Sequence, residues 1–112
     1  MDDRERARYT YARQKLWEVL QCLVSTQPVT KRIIAAAGPL FHLKLMHSSL
    51  VDELPHDART KFDEIIGLLS RHPLRSGEDS LIEASAERLS HHQRRRITEN
   101  VIDIYVTISG GL

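Results

Sequence analysis

The sequence predicts an all-α fold, a small bundle of four to five helices that ends in a long C-terminal helix. Three observations carry that prediction. Apolar residues recur at three- and four-residue spacing along the chain, and no segment sustains the period-two alternation of a strand. Steps bearing proline or glycine cut the chain into the periodic blocks. The 112 residues fit one domain, 1–112.

The first block runs from about Asp3 to Ser25, with Tyr9, Ala12, Leu16, Leu20, Leu23 and Val24 on one helical face. Trp17 and Val19 widen that face toward a second neighbour. Pro28 ends the block, because proline lacks an amide proton and clashes with the preceding turn. A second block starts near Val29 and passes through Ile33, Ala36 and Ala37 to Gly38-Pro39. Helical spacing then resumes through Leu40, Leu43, His47, Leu50 and Leu54. Glycine before proline is poor helix interior, so Gly38-Pro39 is read as a break with Pro39 opening a new helix.

Leu54-Pro55-His56-Asp57 is a stop-and-start signal for a third block. Its apolar positions are Ala58, Phe62, Ile65, Ile66 and Leu69, and Arg59, Lys61, Asp63 and Glu64 fill the opposite face. His72-Pro73 closes it, Arg75 to Asp79 form a loop, and Asp79 or Ser80 is the expected N-cap. The last block is read from Ser80 to about Ser109, where Gly110-Gly111 stops it. Its stripe is Ile82, Ala86, Leu89, Ile97, Val101, Ile104 and Ile108. Every residue from Ser90 to Arg96 is polar, so this helix either leaves the core mid-length or bends at His91-His92. The Ile102–Ile108 run has strand-like composition, but its place after a helical pattern favours helix.

Composition narrows the function. Apolar residues at 41% and charged residues at 28% are those of a folded chain. Basic and acidic side chains, 16 and 15, nearly cancel, which removes the general electrostatic case for nucleic acid. Cys22 stands alone, so a reduced, cytoplasmic setting is expected. The charged start, Met1 to Arg6, lacks signal-peptide character, and no run approaches the roughly 18 apolar residues of a membrane span.

No pattern of catalysis or metal binding emerges. His42 and His47 are five apart and turn away from one face, and His91 and His92 diverge. HExxH, CxxC, nucleophile-elbow and phosphate-loop patterns are all missing. Cys22, among Leu20, Leu23 and Val24, reads as a small hydrophobe. Neither an enzyme nor a bound cofactor is expected.

Two features point to binding instead. Leu40, Phe41, Leu43, Leu45 and Met46 occupy nearly every direction around one helix, and a helix apolar on all sides must be buried on all sides. A homodimer achieves that more easily than a single small bundle. The second feature is the basic stretch of Arg88, His91, His92, Arg94, Arg95 and Arg96, with Glu83, Glu87, Glu99 and Asp103 placed for ion pairs. An acidic protein partner fits it better than nucleic acid, which is the alternative for residues 88–96. The candidate partner-binding residues are therefore Leu40, Phe41, Leu43, Leu45, Met46, Arg88, His92, Arg95 and Arg96, with Val101 and Tyr105 further along the same helix.

The stretch Lys61-Phe62-Asp63-Glu64-Ile65-Ile66-Gly67-Leu68-Leu69, followed by a loop and by Ile82-Glu83-Ala84-Ser85, resembles the helical hairpin of TraM-type quorum-sensing antiactivators. The resemblance covers about a third of the chain. It implies a small helical homodimer that binds a LuxR-type transcription factor and keeps it from DNA. The expected function is thus a non-enzymatic regulatory protein that binds another protein.

Overall fold

The structure, a computed structural model, describes residues 3–71 and 81–110. All of its regular elements are helices: α1 (Asp3–Arg8), α2 (Thr10–Leu23), α3 (Val29–Met46), α4 (Ser48–Asp52), α5 (His56–Leu69), α6 (Leu81–Arg88) and α7 (His91–Ile108). No strand occurs among the described residues, and the Ile102–Ile108 run lies in α7. The expected closure at His72-Pro73, the loop at 75–79, the cap at Asp79 or Ser80, and Gly111 lie outside the described residues.

The segmentation differs from the sequence reading at four places, each for a tertiary or capping reason. The first block divides at Tyr9, whose ring is buried and whose hydroxyl donates to the Glu53 carbonyl at 2.9 Å. Burying that ring and pairing its hydroxyl offsets the interrupted helical turn. The expected break at Gly38-Pro39 does not occur. Helix α3 runs through Pro39, because Ile33, Ala36, Ala37, Leu40 and Leu43 form one buried stripe across it. Ala35, whose carbonyl loses its partner to the proline, is exposed to water.

The third difference is a break at His47, which separates α3 from the short α4 and turns Val51 and Leu54 into the core. The fourth divides the long C-terminal block at Leu89-Ser90, beside His91-His92, where a bend is one of the two expected alternatives. Ser90 Oγ accepts from the Gln93 amide at 3.1 Å, and the Gln93 side chain accepts from the Ser90 amide at 2.9 Å. This reciprocal box satisfies amides that a helix start leaves open. It makes the polar stretch a helix beginning instead of a helix middle.

Packing places α2 against α3 and α7, α5 against α7 and α6, and α6 also against α3. The fully buried centre is Leu16 and Val19 of α2, Leu40 and Leu43 of α3, Phe62, Ile65 and Leu69 of α5, and Ile97, Val101, Ile104 and Ile108 of α7. Gly110, at φ 90°, stops α7 in the left-handed region that glycine tolerates.

Candidate protein-binding surface

The expected all-apolar helix is sorted by the fold into two kinds of position. Leu40 and Leu43 are buried within the single chain, and Phe41 is half-buried against the core. Leu45 and Met46, at the last turn of α3, are 70% and 68% exposed. The helix is therefore not covered on all sides, and its open part is the C-terminal end. Val101 likewise belongs to the core. Of the apolar candidates, Phe41, Leu45, Met46 and Tyr105 remain within reach of another molecule.

Tyr105 is not alone. Its ring centroid lies 6.1 Å from that of Trp17, which reaches across from α2 and stays 52% exposed. Ile102, one turn before Tyr105, is also exposed. The packing of α2 on α7 thus assembles an aromatic pair and an isoleucine on one open face. In the sequence Trp17 registers only as a residue beside the main stripe, and nothing there pairs it with a residue 88 positions later.

The basic stretch is partly engaged. Arg96 Nε donates to Glu64 Oε1 at 2.9 Å and its Nη2 to Oε2 at 3.4 Å, a two-pronged pair joining α7 to α5. The Arg96 guanidinium holds the Glu64 carboxyl below the usual carboxylate range, against the opposing effect of partial burial. Arg95 pairs within its own helix with Glu99 at 3.4 Å, as the sequence spacing allows. Asp103 pairs instead with Lys61 of α5 at 3.2 Å. Arg88 Nη1 donates to the Ala84 carbonyl at 2.7 Å. Arg94 donates to the Leu89 carbonyl at a long 3.4 Å, and His92 is exposed.

His42 and His47, expected to diverge, come together because the helix ends at His47. Their ring centroids are 5.3 Å apart, the His47 ring lies 4.3 Å from that of Tyr11, and Tyr11 Oη sits 3.0 Å from His42 Nε2. Among the described residues no group of three or more His, Cys, Asp or Glu side chains is placed to hold a metal ion. Cys22 is a free thiol of intermediate exposure packed against the core.

No protein-family model, curated protein or solved structure is significantly similar to this chain. Among the described residues no helix is long and apolar enough to cross a membrane.

Proposed function

We propose that this chain is a non-enzymatic regulatory protein of the cytoplasm that acts by binding another protein, as an antiactivator that sequesters a LuxR-type transcription factor. The observation that carries the binding role is the open Trp17–Tyr105 pair beside Ile102. Tryptophan and tyrosine dominate the energetics of protein interfaces, since they bury large areas at little entropic cost. The choice of partner rests on the likeness of residues 61–69 and 82–85 to TraM-type antiactivators. In the same reading, a second copy of the chain covers Phe41, Leu45 and Met46. The nucleic-acid alternative is weakened by the engagement of Arg95 with Glu99 and Arg96 with Glu64, which leaves less free charge for phosphates.

The test adds purified chain to a LuxR-type factor bound to its operator DNA and follows release of the DNA. Release at near-stoichiometric protein, lost in the double variant Trp17→Ala and Tyr105→Ala, is the expected result. Retained DNA and no complex by native mass measurement would remove the antiactivator reading. The same mass measurement on the chain alone is expected to give a dimer, and a monomer for Leu45→Ser with Met46→Ser.

A further inference from the structure

The chain doubles back from the end of α2 into the start of α3, and the first turns of α7 lie against that corner. Between them is a cleft of about 200 Å³. Leu23 and Ile33, both core residues, line it together with Val29. The rest of its lining is Thr98 and four basic side chains: Arg32, His91, Arg94 and Arg95.

These basic groups are not equally neutralised. Arg95 has Glu99 as partner. Arg32 donates from Nη1 to the Leu23 carbonyl at 3.2 Å, while its buried Nε has no hydrogen-bond partner among the described residues. Among the described residues the Arg94 side chain donates only its long bond to the Leu89 carbonyl. Among the described residues, no carboxylate pairs with Arg32 or Arg94. The location adds to the imbalance. The first turn of α7 carries no acid, so its arginines stand at the positive end of the helix dipole, where cations are disfavoured. A fold that leaves two guanidinium groups without a carboxylate partner beside an apolar floor, at a helix end that favours anions, is arranged for an anion supplied from outside.

The floor and the size define that anion. Leu23, Ile33 and Val29 call for hydrocarbon, which a bare inorganic ion lacks. The volume is below the roughly 300–1,000 Å³ of pockets for drug-sized ligands, which favours a small molecule. The planar fork of arginine matches the two oxygens of a carboxylate. We propose that this cleft binds a short-chain aliphatic carboxylate, its carboxylate held by Arg32 and Arg94 and its chain lying on Leu23, Val29 and Ile33. The site shares no lining residue with the Trp17–Tyr105 pair, and Arg95, also a candidate for partner binding, is not one of the groups proposed to hold the ligand.

Hexanoate is the probe, titrated into ¹⁵N-labelled protein at constant ionic strength, with 1-hexanol and inorganic phosphate in parallel. Saturable shifts confined to Val29, Ile33, Thr98 and the Arg32 and Arg94 Nε–H groups are expected, with hexanoate binding about tenfold tighter than either control. Arg94→Gln should weaken hexanoate by about tenfold. Arg59→Gln, which removes a pair with Asp52 elsewhere, should leave it unchanged. If Arg94→Gln fails to fold, Arg32→Lys keeps the charge, removes the fork, and is expected to weaken binding as well. The proposal is overturned by the absence of saturation, by hexanol or phosphate matching hexanoate, or by folded arginine variants that bind as tightly as the parent.

Discussion

Replacing Asn100 by leucine is expected to make this protein more stable. Asn100 lies in α7 with no exposed surface, between the core residues Ile97, Val101 and Ile104. Among the described residues neither Oδ1 nor Nδ2 has a hydrogen-bond partner within ordinary bonding distance, although the amide is near enough to Glu64 to help keep that carboxylate charged. A buried amide without partners costs about 1–3 kcal/mol relative to its hydrated state. Leucine has similar bulk, presents no polar atom, and adds apolar contacts to the same neighbours. Asn100→Leu should therefore gain about 1 kcal/mol, or roughly 4 °C in Tm in a domain of this size. The gain sits at the low end of that range because the amide's support of the Glu64 carboxylate is lost with it. Urea unfolding followed by circular dichroism measures it, with an unchanged m-value showing that the unfolded state is comparable. Asn100→Ala separates the two contributions, since it removes the amide but opens a cavity and should gain less than leucine. A lower midpoint for Asn100→Leu at constant m would refute the reasoning, because the amide would then have to be satisfied in solution.

Three further outcomes follow from the geometry. Ser90→Ala removes the capping box and should cost about 1 kcal/mol by urea unfolding, whereas Ser90→Gly should cost only a few tenths. The lowered pKa of Glu64 gives the Glu64–Arg96 pair a stabilising effect that is complete above the ordinary carboxyl value and fades as pH falls through the lowered folded-state value. The difference in Tm between the parent and Glu64→Gln should accordingly shrink across that acidic window, and it should be small throughout because solvent screens both groups. Gly67 lies inside α5 with nothing within 4 Å of the place a Cβ would occupy, so Gly67→Ala should add about 0.5–1 kcal/mol in the same unfolding assay.

The parts of the fold that could be read from sequence are those governed by local chemistry. Helix α5 runs from His56 to Leu69 because Pro55 sets its start and Ala58, Phe62, Ile65 and Leu69 repeat at helical spacing. Helix α3 defeated the local rule, since a buried stripe continuing from Ile33 to Leu43 outweighs the penalty at Gly38-Pro39. The breaks at Tyr9 and His47 depend on Glu53 and Tyr11, contacts between distant segments that carry no periodic signal. The start of α7 was written locally as Ser90-x-x-Gln93, but seven polar residues in a row read equally well as a helix crossing solvent. The candidate surface divides in the same way. The basic stretch and the Arg95–Glu99 spacing are visible in the chain, whereas the Arg96–Glu64, Trp17–Tyr105 and Arg32–Arg94 associations arise only when α2, α3, α5 and α7 pack.

The capping box at Ser90 also bears on the order in which the molecule forms. The N-cap residues of α2, α3, α4 and α5 make no side-chain capping hydrogen bond, whereas the start of α7 has two reciprocal ones. Nucleation is the costly step in making a helix, and a local cap lowers it without help from the rest of the chain. Of α2, α3, α4, α5 and α7, helix α7 is therefore the one best equipped to form early. Because it touches both α2 and α5, it offers the first stable face on which the other helices assemble.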